Sequence, residues 1–211
     1  MSDAAIAITK IGTETLRVPL IGTTPLIVHR FSEKAKRQML DNMQGRKSPK
    51  VAKNPEAEYE AAFYRLADGG YGFPALAFKA ATVGGARFYS GVTMTALKQF
   101  MFIHGEVGDD GRALTRIVGE PMMREDVVTV GRNGSDLRYR PQFSSWSATL
   151  TVRYVTSALT QGSVLSLIDA GGMGVGVGEW RPEKDGDFGT YQVDPAREVE
   201  IVHDEAKLVA A

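Results

Sequence analysis

Two hydrophobic periods and one turn signal predict an α+β domain. Apolar residues alternate at Leu16, Val18 and Leu20, and the runs 117–130 and 137–154 have the same two-residue period, which marks half-buried strands. From Pro74 onward, small and apolar residues instead recur every three or four positions, the spacing of a helix. Between the two long runs stands Arg132-Asn133-Gly134-Ser135, a hairpin turn in which Asn and Gly tolerate positive φ.

The elements follow in chain order. Thr15 to Val28 reads as a strand interrupted near its end by Gly22-Thr23-Thr24-Pro25, since proline cannot donate to a ladder. Ser32 is a suitable N-cap for a helix to Met43, and 45–55 then collects Gly, Pro and Lys as a basic loop. Glu56 to Leu66 is amphipathic and predicts a helix stopped by Asp68-Gly69-Gly70. Pro74 opens the first main helix, because its fixed φ suits the first turn. That helix extends in two pieces toward Ile103, with a break near Ser90-Gly91. After the hairpin runs, 162–170 predicts a short helix, 171–189 a glycine-rich loop and 190–202 a final β-rich stretch. The order strand, helix, strand, strand, helix, strand is the split βαβ of the ferredoxin-like (RRM-like) fold. A helical, basic insertion (33–72) follows the first strand, and 203–211 forms a flexible tail. No second domain boundary interrupts 1–211, so one RRM-like domain is expected.

Composition narrows the function. Hydrophobic residues at 43% and charged residues at 24% are globular values. No apolar run has the length of a membrane span, and the start lacks the pattern of a secretory signal, so a cytoplasmic protein with no membrane partner is expected. The absence of cysteine removes disulfides, thiolate zinc sites and cysteine nucleophiles. His29, His104 and His203 have no metal-ligand spacing, and neither a metal nor another cofactor is expected.

Lysine plus arginine equal aspartate plus glutamate at 25 each, so the whole chain lacks the basic excess of a strong nucleic-acid binder. The charge is sorted, however. Residues 33–53 hold seven cations, Lys34, Lys36, Arg37, Arg46, Lys47, Lys50 and Lys53, against Glu33 and Asp41. Such a segment supplies sequence-independent phosphate affinity, or is a solvated arm.

The segment 171–189 has seven glycines in nineteen residues, with Arg181 and Lys184 among acidic neighbours. It completes neither a P-loop nor a dinucleotide fingerprint. Glycine amides such as those of Gly176 and Gly178 can approach a phosphate closely, and the alternative is a slack connection. Lys79 sits near a helix N-terminus, where the macrodipole disfavours a cation. A phosphate shared with that N-terminus would account for it, as would snorkelling along the helix. Phe143, Trp146 and Trp180 are candidates for stacking on bases, or else core aromatics. His29 and Arg30 end the first strand beside the basic segment.

Thr24-Pro25-Leu26-Ile27, the stretch from Gly72-Phe73-Pro74 through Phe78-Lys79 to Arg87, and GVGVGEWRPEKDGDFGTYQV before the last strand together resemble the RAMP superfamily of CRISPR proteins. The similarity is greatest to their RNA-binding backbone subunits, and a phage-encoded relative is compatible with it. Those proteins carry a Pro-Leu-Ile-like strand end, an Ile-Pro-Gly-Ser-Ser-Leu-Lys-Gly-like helix start and a Gly-x-Gly…Gly-Phe-Gly loop. Two departures stand out: Ala75-Leu76-Ala77 replaces the Gly-Ser-Ser turn, and no aspartate follows the first strand directly, where target-cleaving relatives keep one.

The resemblance implies a non-catalytic subunit that repeats along single-stranded RNA or DNA in a ring or filament, with other effector subunits as further partners. On this reading the strand is held by His29, Arg30, Lys34, Lys36, Arg37, Arg46, Lys47, Lys79, Arg87, Gly176, Gly178, Trp180, Arg181, Lys184 and Phe188. Two other classes stay open. One is a metal-independent endoribonuclease using His29 as general acid or base, the other a viral structural assembly protein.

Overall fold

A computed structural model describes residues 8, 10–46, 52–130 and 134–202. In strand β1 (Thr13–Gly22), Leu16, Val18 and Leu20 point inward and are fully buried while Arg17 and Ile21 face solvent. The chain breaks at Thr23-Thr24-Pro25 and resumes as β2 (Leu26–Ile27). The Trp146 indole N–H donates to the Thr24 carbonyl at 2.8 Å and fixes that break. Trp146 and Phe143 are therefore core residues, 4% and 1% exposed, which corrects their candidacy as base-stacking platforms.

Helix α1 (Glu33–Met43) follows Ser32 as expected, and α2 (Pro55–Ala61) is capped by the Asn54 side chain, which accepts from the Ala57 amide. The predicted continuation of α2 to Leu66 does not form. Instead β3 (Tyr64–Arg65) turns back on β4 (Tyr71–Pro74), and Phe63 and Leu66 are buried. Pro74 closes β4, and α3 (Ala75–Gly84) starts immediately after it, running into a single tight turn at Gly85–Phe88. Helix α4 (Met94–Phe100) is capped by Thr93. The predicted helical character of 101–103 gives way to β5 (Met101–His104), which pairs antiparallel with residues 151–154.

Strands β6 (Glu106–Val107) and β7 (Ala113–Val118) form a small hairpin. Each predicted long run splits in two. The first becomes β7 and β8 (Pro121–Val130), the second β9 (Gly134–Phe143) and β10 (Ser147–Val155). The lower halves join the main sheet, and the upper halves β8 and β9 form a ten-pair hairpin whose base also takes in β2. Gly134 and Ser135, expected in the turn, already pair with Val130 and Thr129, while Arg132 and Asn133 lie outside the described residues.

Helix α5 (Gln161–Gly174) begins at Thr160, which accepts from the Ser163 amide, and runs four residues past its predicted end. Gly171, Gly172 and Gly174 therefore belong to this helix and not to the loop. A Cβ at Gly171 would overlap the Ala81 carbonyl, and one at Gly172 the Tyr191 carbonyl, so their small size lets α5 lie on α3 and the sheet. The chain ends in β11 (Tyr191–Val193) and β12 (Glu200–Ile201), both paired with β1.

The result is an α+β domain with five α-helices among the described residues. The main sheet has the order β11-β1-β10-β7-β4-β3, with β5 also on β10, and its strand pairs are antiparallel. Helices α3 and α5 pack together on it, enclosing Leu16, Val18, Leu20, Phe78, Leu150, Val152, Val164 and Ile168. No described helix is long and apolar enough to cross a membrane.

Candidate nucleic-acid interface

The glycine-rich loop, now 175–189, is bound along β2. Glu179 N–H donates to the Ile27 carbonyl (3.0 Å), Gly189 N–H to Pro25 (2.8 Å), Val177 N–H to Gly189 (2.9 Å), and Phe188 N–H to Trp180 (3.0 Å). Gly178 has φ +83°, and a Cβ there would stand 2.5 Å from the Ile27 carbonyl oxygen. Gly176 is buried, with its amide on the Gly171 carbonyl. The loop is thus not a slack connection, and the Gly176 amide is already used within the chain. Its glycines let the backbone close on itself and on β2.

Side chains from this loop meet the base of the β8–β9 hairpin. Trp180, held at φ +51°, lies under the guanidinium groups of Arg140 and Arg124, at 4.9 and 5.1 Å from its centroid. Arg124 also covers Phe188 at 5.0 Å. Both rings are half-buried in cation–π contacts within the chain. Arg140 is 1% exposed and pairs with the buried Asp126 at 2.5 Å and with Glu179 at 3.3 Å. Asp126 also accepts from Arg124 at 2.8 Å.

His29 sits where loop, hairpin and β2 converge. Its Nδ1 is 3.9 Å from Glu179, and its ring stacks on Phe31 at 5.8 Å. Burial holds the imidazole pKa below its ordinary value; Glu179 works against that shift, while Arg138 and Arg140 reinforce it. The imidazole is therefore neutral near pH 7. His29 lines two clefts. One, of about 200 Å³, lies between the loop and the small residues Ala77, Ala80 and Ala81 of α3. The other, of about 350 Å³, is flanked by Arg138, Lys53 and Tyr139.

The remaining predicted contacts divide. Arg30 is held by Asp109 (2.9 Å) and Asp110 (3.3 Å), Lys36 by Glu33, and Arg181 by Glu183 (2.9 Å) and the Gly178 carbonyl. Arg87 stands 3.7 Å from Glu183. Lys79 donates to the Lys98 carbonyl at the end of α4 and lies over Phe102 at 4.5 Å. It thus serves a helix C-terminus, where a cation is favoured, and of the two alternatives open for it an N-terminal phosphate is not needed to account for the lysine. Arg37, Arg46 and Lys184 are exposed and, with the half-buried Arg138, form no ion pair among the described residues. Lys47 and the Lys34 side chain lie outside the described residues. Arg124, Arg138, Arg140 and Glu179 are new to the site. The i, i+2 spacing of Arg138 and Arg140 in a predicted strand was their signal, since it places both on one face.

No family model matches the sequence, and no curated protein is similar to it. Two solved structures are among those its fold is similar to. One is Cmr6 from Pyrococcus furiosus, with TM-score 0.43 and 9% identity over 88% of this chain and 100% of that one. Another is a chain of a type III-B Cmr-beta complex bound to cognate target RNA, with TM-score 0.45 and 9% identity over 90% of this chain and 61% of that one.

Proposed function

We propose that this chain is a non-catalytic, single-stranded nucleic-acid-binding subunit on a ferredoxin-like core, repeated along RNA or DNA. The observation that carries the reading is the cleft between the glycine-rich loop and α3, open at His29 with Arg138 beside it. Small α3 residues on one wall and cationic groups at its mouth suit an extended phosphodiester chain. The core assignment is supported by β1, α3, β5, β10, α5 and β11 in sequence, with sheet order β11-β1-β10-β5. Assembly is supported by α1 and the two residues before it, which leave Phe31, Met39, Leu40 and Met43 exposed beside Lys36 and Arg37. Apolar patches rimmed by charge are characteristic of protein contacts.

A salt-titrated anisotropy assay with labelled single-stranded RNA, single-stranded DNA and duplex tests this reading. Binding is expected to fall steeply with salt and to favour single strands. Arg46→Ala combined with Arg138→Ala should weaken all sequences alike and flatten the salt slope by about two. Strong base preference, or no binding at low salt, counts against it. Assemblies that form without any nucleic acid, seen by electron microscopy, would instead favour the structural assembly protein.

Protonation of His29 adds a cation to the cleft. The groups acting on it are Glu179, Arg138 and Arg140, and the net effect is a depressed pKa, so the gain appears only in acid. Affinity should therefore rise only as pH falls below the ordinary imidazole pKa of about 6.5, and His29→Ala should lack that rise. The endoribonuclease reading also has one observation in its favour, a neutral imidazole with a carboxylate 3.9 Å away. It requires RNA cleavage in chelator that disappears in His29→Ala. Intact RNA after long incubation removes it.

A further inference from the structure

We infer that His29, Arg138 and Arg140 form a phosphodiester-binding site that the Glu179 carboxylate fills in the free protein. An incoming backbone phosphate takes that carboxylate's place. This rests on the single-strand reading above and names the atoms that would bear it.

The charges around the site call for an occupant. Asp126 is shared by Arg124 and Arg140, at 2.8 and 2.5 Å. The buried cation thus already has an anionic partner inside the protein. One positive charge of that trio is left over, and Arg138 adds another. Glu179 is the carboxylate that reaches this excess, with Oε2 3.3 Å from Arg140 Nη1 and Oε1 3.9 Å from His29 Nδ1. Across the neighbouring cleft, Lys53 is shared by Glu58 and Asp136 and is neutralised without it.

Geometry makes the exchange local. The Glu179 backbone is pinned to Ile27, yet its side chain is 37% exposed at the cleft. A rotation about the side chain uncovers Arg140 and leaves the loop bonded. Arg140 Nε is buried and has no hydrogen-bond partner, so this guanidinium retains unused donor capacity. A phosphodiester offers two non-bridging oxygens in place of the two that the carboxylate presents now, and either of them can also accept from Arg138. Glu179 would then act as a gate, weakening adventitious anion binding and setting a threshold that a polyanionic strand passes more readily than a free ion.

The test uses the full chain, a short labelled oligouridylate and, separately, inorganic phosphate. Glu179→Gln keeps the shape and removes the charge. It should bind the oligouridylate about tenfold more tightly than wild type at low salt. Glu120→Gln, an exposed carboxylate outside the site, should not change affinity. A Glu179→Gln affinity equal to that of Glu120→Gln, or weaker than wild type, overturns the gate. Inorganic phosphate is followed by the His29 imidazole resonances in wild type and Glu179→Gln. It should shift them in both, at lower concentration in the variant. Silent His29 resonances in both proteins overturn the site. A phosphate response without any oligouridylate binding supports the anion site and counts against the single-strand reading, so the two failures are distinguishable.

Discussion

Gly189→Val is expected to destabilise the protein by about 3–5 kcal/mol, a large share of an ordinary domain's stability. Two effects add. Gly189 has φ +67°, which costs a branched residue about 1–2 kcal/mol. A Cβ there would also overlap the Val177 carbonyl, forcing apart the loop whose Val177 amide donates to Gly189 and whose Gly189 amide donates to Pro25. Gly69→Val separates the two effects. Gly69 has φ +84°, and a Cβ on it would meet nothing within 4 Å, so the substitution should cost only the strain, about 1–2 kcal/mol. Urea unfolding of both variants checks this, and equal midpoints would show that the loop closure adds nothing. Substitutions at Gly176 and Gly178 are expected to report on folding in the same way, so binding is better tested at Arg46, Arg138 and Glu179.

Arg140→Met is expected to cost about 3 kcal/mol, because it leaves the buried Asp126 with Arg124 alone. It also removes one cation–π partner of Trp180 and the hydrogen bond to Glu179. The second, local consequence is a loosened loop, so amide exchange across 176–189 should accelerate more than in the β1–β10 core. Arg140→Met with Asp126→Leu should recover part of the loss, since removing both charges leaves neither uncompensated. A coupling of about 1–3 kcal/mol in the urea double-mutant cycle is expected. Strict additivity would mean the pair is not the link between hairpin and loop.

Local signals were legible where a residue's neighbours in sequence settle its conformation. The break after β1, the Ser32 start, the stop of α3 before Ser90-Gly91 and the existence of a long hairpin all read directly from Pro, Gly and capping residues. Errors arose where an apolar spacing fits two periods. In Ala62-Phe63-Tyr64-Arg65-Leu66, Phe63 and Leu66 lie three apart, as on a helix face, yet pairing of Tyr64 with Gly72 makes a strand. Met101 and Ile103 continue a helical pattern until pairing with β10 overrides it. Gly171 and Gly172 look like loop residues until the closeness of Ala81 and Tyr191 explains them as helix packing.

The site divides along the same line. His29 and the 171–189 segment could be picked out as candidates, the first as a histidine at a strand end and the second by seven glycines in nineteen residues. The disposition of the cations was not, because an ion pair depends on residues distant in the chain. Arg30 meets Asp109, Lys79 meets the Lys98 carbonyl, and Glu179 meets both His29 and Arg140. By itself the sequence determined the mixture of strands and helices, the hairpin and the presence of a glycine-rich segment, since these rest on periodicity and backbone preference. Only the tertiary structure decided which glycines bind the loop to β2, which arginines are already paired and that a carboxylate stands over Arg140, because those are set by long-range pairing and burial.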